Sequence, residues 1–299
     1  MNWPALLQQI SIGETKALAR SISLVENEVS GYDQFMKNLP AAAIPVIGIT
    51  GPPGAGKSTL TDALVAFLVQ DGKKVAVLCV DPSSPFNAGA ILGDRIRMSA
   101  WYNHPSVFIR SLATRGALGG LNPKIIEITD ILKACPFDII IVETVGVGQS
   151  EIEIAGLADL TIVVLVPEAG DEIQTMKAGL MEVADIFVVN KADRPGADLF
   201  VHNLNAMLGP AYSHREAAIP VIKTIASQHT GIDDLANTVT SLLKTSKDND
   251  KKHLLLAEKA WRLIQHKRMK DINKQLLITT IKNKLAAGNF NLYQFIDTL

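Results

Sequence analysis

The chain has 299 residues, of which 47% are hydrophobic and 20% are charged, and its formal net charge is -1. This length and composition predict a globular protein with a large core in one domain or two, and the charge gives no overall electrostatic reason to bind nucleic acid. The two cysteines, Cys79 and Cys135, form no Cys-x-x-Cys pair, so we expect no disulfide framework and a reducing, cytoplasmic compartment. No apolar run approaches the roughly 18 residues of a membrane span, and the N-terminus lacks the pattern of a secretory signal.

The first segment of the chain has a helical pattern. Residues 3–40 carry apolar side chains at helical spacing, as at Leu6, Ile10 and Ile22. We interpret residues 1–43 as an N-terminal helical extension whose expected role is packing.

The central segment, residues 44–245, alternates apolar runs of strand length with segments of helical period. The predicted strands are residues 44–50, 74–80, 107–109, 138–142, 160–166, 186–190 and 220–223. This alternation predicts an α/β fold, a mostly parallel sheet covered by helices on both faces. Ligands of such folds bind at the carboxyl ends of strands, so functional motifs are expected directly after them.

A glycine-rich loop follows the first predicted strand and fits the P-loop pattern Gly-x-x-x-x-Gly-Lys-[Ser/Thr]. Its predicted nucleotide-binding residues are Gly51, Pro52, Pro53, Gly54, Ala55, Gly56, Lys57, Ser58 and Thr59. The backbone N–H groups can surround phosphates, Lys57 can reach the β- and γ-phosphates as a catalytic residue, and the Ser58 hydroxyl can ligate Mg²⁺. The buried strand before the loop and the helical pattern after it are the context that this motif requires.

Two carboxylates flank a segment rich in Pro, Gly and Ser after the strand at residues 74–80. Asp81 ends that strand, and Asp94 follows after the loop. Both could hold Mg²⁺ directly or through water, because Mg²⁺ prefers oxygen ligands. On spacing alone, they could equally be turn residues that cap backbone groups.

A third acid, Glu143, ends the strand at residues 138–142 and is followed three residues later by Gly146. The acid can support Mg²⁺, and the Gly146 N–H can meet the γ-phosphate, which would make this loop a switch. Small GTPases have a glutamine directly after this glycine, whereas here Val147 stands there and Gln149 comes two residues later. We therefore predict slow intrinsic hydrolysis, completed by a partner or a loop rearrangement, with Gln149 as the candidate for positioning water.

An Asn-Lys-x-Asp motif follows a later strand and indicates guanine as the base. It consists of Asn190, Lys191 and Asp193. The Asp193 carboxylate can accept hydrogen bonds from guanine N1–H and its 2-amino group, which adenine cannot replace. The next strand ends before Ala226, whose backbone N–H could meet guanine O6, and Ser227. In this order of motifs, GTP is the predicted nucleotide.

The ordered motifs resemble the GTPases of the SIMIBI class of P-loop proteins. Four further stretches make the resemblance closer: residues 81–84, 92–94, 143–150 and 170–177. With them, nearly the whole chain resembles the MeaB/ArgK family, the GTPases associated with methylmalonyl-CoA mutase.

That resemblance implies a homodimeric chaperone that hydrolyses GTP to GDP. Such a protein binds an adenosylcobalamin-dependent acyl-CoA mutase, by default methylmalonyl-CoA mutase, gates loading of the cofactor, and protects or reactivates the enzyme. The acids that the family places around Mg²⁺, together with the P-loop serine, match Ser58, Asp81, Asp94 and Glu143. A mobile loop that communicates with the partner matches residues 170–177, and its polar residues are Asp171, Gln174 and Lys177.

The last segment, residues 246–299, changes character. Between positions 244 and 284, 12 Lys and Arg residues face 4 Asp and Glu residues, a formal charge of +8. Apolar residues such as Trp261, Ile264 and Leu276 recur at helical spacing. We interpret this segment as a helical arm that packs on the core or on a second subunit, and the resemblance agrees with a dimerisation arm. A nucleic-acid surface is the weaker alternative, because no interleaved aromatic pattern supports it.

Two other functions share this fold class. One is a kinase linked to basic amino-acid transport, which would require a phosphate acceptor. The other is a metallochaperone GTPase, which needs a cluster of soft or borderline ligands. The six histidines are scattered along the chain, and neither cysteine has a partner at ligand spacing, so the sequence gives the second little support.

Overall fold

A computed structural model gives the structure of most of the chain. It describes residues 1–81, 98–114, 121–144, 146, 150–169, 183–211, 218–245, 250–269, 271–288 and 290–298. The chain divides into two compact units, Met1–Leu255 and Leu256–Leu299.

The N-terminal extension is helical, as predicted. It contains α1 (Trp3–Ser11), α2 (Thr15–Glu26) and α3 (Tyr32–Lys37). The Asn2 side chain caps α1 by accepting a hydrogen bond from the Ala5 N–H. The prediction gave one helical segment, whereas the structure divides it into three short helices.

The strands of the described residues form one parallel sheet of seven. They are β1 (Val46–Thr50), β2 (Val75–Asp81), β3 (Val107–Ala113), β4 (Ile139–Glu143), β5 (Leu160–Leu165), β6 (Ile186–Val189) and β7 (Val221–Lys223). Their order is β3-β2-β4-β1-β5-β6-β7, and every registered pair is parallel. The predicted α/β fold with a mostly parallel sheet is therefore confirmed.

Strand β3 is longer than its apolar run predicted. Arg110 and Ser111 interrupt the run of apolar residues, and the prediction ended the strand before them. In the structure, Arg110 Nη2 donates to Ser23 Oγ at 3.0 Å and to Glu26 Oε2 at 3.3 Å on α2. A polar residue is tolerated at this point of the strand because α2 supplies its partners.

Helices cover both faces of the sheet. They are α4 (Lys57–Gln70), α5 (Ile125–Lys133), α6 (Ser150–Ala155), α7 (Ala197–Ala211) and α8 (Ile232–Thr245). One buried cluster joins α1, α2, α5 and α6 to the sheet through residues such as Ile10, Ile22 and Ile128. A second joins α4 and α8 to the alternate strand residues, through Leu64 and Val239 for example. The N-terminal extension thus completes the covering of one sheet face.

The C-terminal segment is also helical, as predicted. It contains α9 (Asp250–Arg268), α10 (Lys274–Ala286) and α11 (Leu292–Ile296). Helix α10 begins after Asn273, whose side chain accepts hydrogen bonds from two backbone N–H groups of its first turn. No residue of α10 is buried, whereas Phe295 of α11 is. Among the described helices, none has both the length and the apolar character for crossing a bilayer.

Candidate functional site

The predicted motifs meet at one edge of the sheet. Because all seven described strands are parallel, their carboxyl ends lie at the same edge. Following the strand order, this edge carries Asp81 as the last residue of β2, Glu143 as the last residue of β4, the P-loop after β1, Asn190 after β6 and Ala226 after β7. The acids predicted for Mg²⁺ therefore stand on one side of the P-loop, and the residues predicted for guanine stand on the other.

The P-loop connects β1 to α4 through a left-handed residue at the helix start. Gly56 has φ 90°, and a Cβ added there would lie 2.4 Å from Asn190 Nδ2, so only glycine fits this position. Lys57 is buried, and its Nζ donates to the carbonyl oxygens of Gly51 at 2.9 Å and Pro52 at 3.0 Å. Because an ammonium group has three donors, a phosphate in the loop can join these oxygens as a partner or replace them.

Two hydroxyl groups of α4 hold the Glu143 carboxylate, one at each oxygen. Ser58 Oγ donates to Oε1 at 2.7 Å, and Thr61 Oγ1 donates to Oε2 at 2.8 Å. Ser58 and Thr61 are three residues apart and so lie on one face of the helix. The sequence analysis identified Ser58 and Glu143 but missed Thr61, whose only signal was this spacing from Ser58.

Gly146 lies against the P-loop. Its φ is 84°, and a Cβ added there would lie 2.2 Å from the Gly51 carbonyl oxygen and 2.5 Å from Lys57 Nζ. One residue after Glu143, the Thr144 hydroxyl is 2.9 Å from the Thr50 hydroxyl at the end of β1. Thr144 therefore contacts the end of β1, and Gly146 lies close to the P-loop, at the position where the sequence analysis predicted a switch.

Asn190 connects three loops of the site. Its Nδ2 donates to the Ala55 carbonyl oxygen at 2.9 Å, and its Oδ1 accepts from Thr224 Oγ1 and from the Ala226 N–H, both at 3.1 Å. The Ala226 N–H predicted for guanine O6 is therefore engaged by Asn190, and a guanine would have to share or displace that bond. Thr224 was missed by the sequence analysis because its role depends on a contact with a distant segment.

The rest of the Asn-Lys-x-Asp motif lies at the surface. Lys191 has φ 56°, which is uncommon for a residue other than glycine, and its Nζ donates to the Gly54 carbonyl oxygen at 2.7 Å. Asp193 is exposed, as is Ser227 after β7. Both side chains are therefore accessible to a base at this edge.

An ion pair joins the end of this motif to the loop after β5. Arg194 donates to a carboxylate oxygen of Glu168, and this hydrogen bond lowers the pKa of the exposed Glu168 carboxyl. Because both side chains are largely exposed, solvent screens the pair, and we assign it no role beyond local positioning.

The oxygen donors predicted for Mg²⁺ are only partly within the described residues. Ser58 and Glu143 are in direct contact, and Asp81 is buried at the end of β2, the strand that pairs Cys79 with Glu143. Hydroxyl and carboxylate oxygens next to a phosphate loop suit a Mg²⁺ that keeps several waters. The described part of the chain contains no group of three His, Cys, Asp or Glu residues placed to hold a metal. Predicted residues that lie outside the described residues are Asp94, Gln149, Asp171, Gln174 and Lys177.

Comparisons with known proteins agree on one family. The model of the family described as "Methylmalonyl Co-A mutase-associated GTPase MeaB" matches residues 18–281. A relative from Pyrococcus abyssi (strain GE5 / Orsay) that carries a GTPase name is 43% identical over 288 residues, which are 95% of this chain and 85% of the relative. A fused isobutyryl-CoA mutase of Cupriavidus metallidurans is 41% identical over 200 residues, 65% of this chain and 18% of that protein.

A solved structure matches this fold. The crystal structure of a LAO/AO transport system kinase superposes with a TM-score of 0.67 at 25% identity, and the match covers 99% of this chain and 95% of that one. Together with the P-loop geometry and the family match over most of its length, this likeness shows that the chain is a GTP-hydrolysing member of the MeaB family of methylmalonyl-CoA mutase-associated GTPases.

Proposed function

We propose that this GTPase is a chaperone of an adenosylcobalamin-dependent acyl-CoA mutase. In this role it binds the mutase, gates loading of the cobalamin cofactor, and protects or reactivates the enzyme at the expense of GTP. The observation that carries the proposal is the relative in which 200 residues similar to this chain belong to a fused isobutyryl-CoA mutase. The family description, which names methylmalonyl-CoA mutase, makes that enzyme the first client to test.

The positions of the site residues support a proposal for the nucleotide chemistry. We infer that GTP lies along the edge, with its phosphates in the P-loop and its base at Asp193, the carboxylate that distinguishes guanine from adenine. Lys57 and the P-loop N–H groups would stabilise the charge that develops as water attacks the γ-phosphate. Gln149 remains our candidate for orienting that water, and residues 170–177 remain our candidate for the loop that contacts the partner.

A magnesium ion fits the donors on the opposite side of the P-loop. Ser58 and Glu143 would hold it, with Asp81 and Asp94 as further predicted donors, directly or through water. When bound, Mg²⁺ supplies positive charge that neutralises the β- and γ-phosphates. The Glu143 carboxylate would face the ion in a fixed orientation, because each of its oxygens accepts a hydrogen bond from a hydroxyl group of α4.

A second copy of the chain is the proposed partner of the C-terminal arm. The second compact unit exposes a series of large apolar side chains: Trp261, Leu263, Ile264, Met269, Leu276, Ile278, Leu285, Leu292, Tyr293 and Ile296. Exposed apolar side chains mark protein–protein contacts where they form one contiguous patch, as we propose for this series. Sedimentation of the full chain, with Leu276→Glu as the variant and Lys282→Glu as the control, tests for a dimer that the first change alone dissociates.

The experiment that tests the function is phosphate release from GTP and from ATP, with and without purified methylmalonyl-CoA mutase or isobutyryl-CoA mutase. We expect release selective for GTP that rises when the client mutase is added. GTP-selective release that neither mutase changes would contradict the chaperone role and leave the GTPase intact.

Because one solved structure of this fold is described as a transport system kinase, the same reactions should include γ-labelled nucleotide. Transfer of label to protein instead of water would replace the proposal with a kinase.

A loading assay tests the gating part of the proposal. Transfer of adenosylcobalamin to apo-mutase is followed by absorbance, in the presence of GTP, GDP or a non-hydrolysable GTP analogue. We expect the nucleotide to change the transfer rate, with Lys57→Ala as the control that cannot respond. Equal rates with all three nucleotides would contradict gating.

A further inference from the structure

We propose that Thr61 is a positioning residue for the magnesium site, acting through Glu143; this inference rests on the proposed role of Ser58 and Glu143 in binding Mg²⁺. Thr61 is completely buried, and its hydroxyl lies 2.8 Å from Glu143 Oε2. No nucleotide motif includes this position, since the P-loop pattern ends at Ser58.

The hydrogen bond from Thr61 fixes the orientation of the Glu143 side chain, which is longer and more flexible than an aspartate. A glutamate has one more rotatable side-chain bond than the aspartate commonly found at this strand end. A single hydrogen bond from Ser58 would therefore leave the Glu143 carboxylate free to rotate about its last side-chain bond. Thr61 attaches the second oxygen, and two attachments on one helical turn define the plane of the carboxylate. Hydrogen bonds of a hydroxyl to an ionised carboxylate are among the stronger ones in proteins.

Thr61 has a competing partner within its own helix. Its hydroxyl is 2.9 Å from the Lys57 carbonyl oxygen, the bond that a helical threonine makes to the residue four positions earlier. A hydroxyl carries one proton, and a charged carboxylate is the stronger acceptor. The proton is therefore directed to Glu143, and Thr61 would keep that bond when the Ser58 oxygen holds the metal.

The test measures how Mg²⁺ changes nucleotide affinity. Binding of a fluorescent GDP analogue is titrated in EDTA and over a range of Mg²⁺ concentrations, for the full chain and for Thr61→Val, which keeps the shape and removes the hydroxyl. We expect the half-saturating Mg²⁺ concentration to rise about tenfold, the size of effect that partners of metal ligands have on metal affinity. Affinity in EDTA should equal that of the parent, and kcat should recover at saturating Mg²⁺.

Three variants serve as controls. Thr61→Ser retains the hydroxyl and should restore the parental Mg²⁺ response. Thr129→Val removes a buried helical hydroxyl that bonds to the Ile125 carbonyl oxygen at 2.7 Å on α5, and it should leave the Mg²⁺ response unchanged. Thr61→Ala repeats the main change without a buried methyl group beside the carboxylate, in case Thr61→Val does not fold.

The outcomes separate this inference from the function on which it rests. A parental Mg²⁺ response in Thr61→Val and Thr61→Ala would overturn it, and so would an equal loss of affinity with Mg²⁺ and with EDTA, because Thr61 would then act on the P-loop helix and not on Glu143. In both cases the parent still responds to Mg²⁺, and the proposed metal site stands. A parent protein whose nucleotide affinity ignores Mg²⁺ would remove the metal site itself and the role of Thr61 with it.

Discussion

Two buried lysines of the first compact unit are held by different kinds of partner. Lys57 is 7% exposed and bonds to the backbone carbonyl oxygens of Gly51 and Pro52. Lys124 is 5% exposed and lies 2.8 Å from a carboxylate oxygen of Glu28 and 3.0 Å from one of Glu127. A phosphate can replace neutral carbonyl oxygens as the partner of a cation, whereas two carboxylates compete with any other anion. The first arrangement suits ligand exchange, and the second suits permanent attachment.

The Lys124 cluster attaches the N-terminal extension to the GTPase core. Glu28 lies between α2 and α3, Lys124 directly precedes α5, and the Lys124 ammonium also sits 5.0 Å from the centre of the Tyr32 ring. Burial alone would lower the pKa of Lys124, but the hydrogen bonds and charges of Glu28 and Glu127 outweigh it and raise the pKa above its ordinary value. Lys124 therefore stays charged at neutral pH and holds the two segments together.

The largest effect is expected from Lys57→Ala, which tests whether Lys57 binds the phosphates of the nucleotide. Loss of the cation that faces the phosphates should lower kcat/KM for GTP by about 10²–10³-fold. The measurement is phosphate release, with urea unfolding on the same samples. We expect a smaller loss of stability than for Lys124→Met, because the two described hydrogen-bond partners of Lys57 are neutral carbonyl oxygens. Turnover within tenfold of the parent would contradict the assigned role of Lys57.

Lys124→Met tests whether Lys124 attaches the N-terminal extension to the GTPase core. The change leaves two carboxylates without their shared cation, and Glu127 is itself buried. The free energy of unfolding should therefore fall by about 3 kcal/mol, the lower end for a buried pair, because Glu28 is partly exposed. GTP turnover of the folded protein should stay near the parental value. The matched control is Lys133→Met on α5, whose 3.8 Å contact with the more exposed Asp130 should contribute less than about 1 kcal/mol. Equal effects of the two changes would show that the cluster holds nothing in place.

The same cluster predicts how stability depends on pH. A lysine with a raised folded pKa stabilises the protein fully below its unfolded pKa of about 10.4, and this stabilisation is lost as the pH rises through the folded value. The difference in unfolding free energy between the parent and Lys124→Met should therefore be the same at about pH 7 and pH 9 and should shrink only above about pH 10.4. Urea titrations at these pH values check it. A difference that stays constant or grows as the pH rises above about 10.4 would mean that the folded pKa is not raised.

Sequence patterns predicted one half of this comparison and not the other. Lys57, Glu143 and Asn190 were found because each stands at a fixed position after a strand, and the carboxyl ends of parallel strands meet at one edge. Lys124 lies in an irregular connection before a helix, and nothing in its sequence neighbourhood identifies Glu28 as its partner. Thr61 was missed for the same reason, since its contact with Glu143 joins residues 82 positions apart. Local periodicity predicts elements and their ends, whereas contacts between distant segments depend on the packed fold.

The smallest effect is expected from alanine substitutions at two glycines, which test how the residues around Lys57 position its ammonium group. Gly146 and Gly196 both have φ 84°, so an alanine at either position carries the strain of a left-handed conformation, about 1 kcal/mol. An added Cβ meets nothing within 4 Å at Gly196, but at Gly146 it would overlap the Gly51 carbonyl oxygen and Lys57 Nζ. The two variants therefore share the free-energy cost of the left-handed backbone conformation, but only Gly146→Ala places a methyl group against Lys57.

For Gly146→Ala we expect kcat/KM for GTP to fall about tenfold, because the new methyl group pushes Lys57 and the P-loop apart and a misplaced catalytic group loses much of its effect. Gly196→Ala should lose the same stability and keep its turnover. Phosphate release and urea unfolding on both variants separate the two costs. Equal turnover in the two variants would mean that Lys57 reaches its working position regardless of the Gly146 contact.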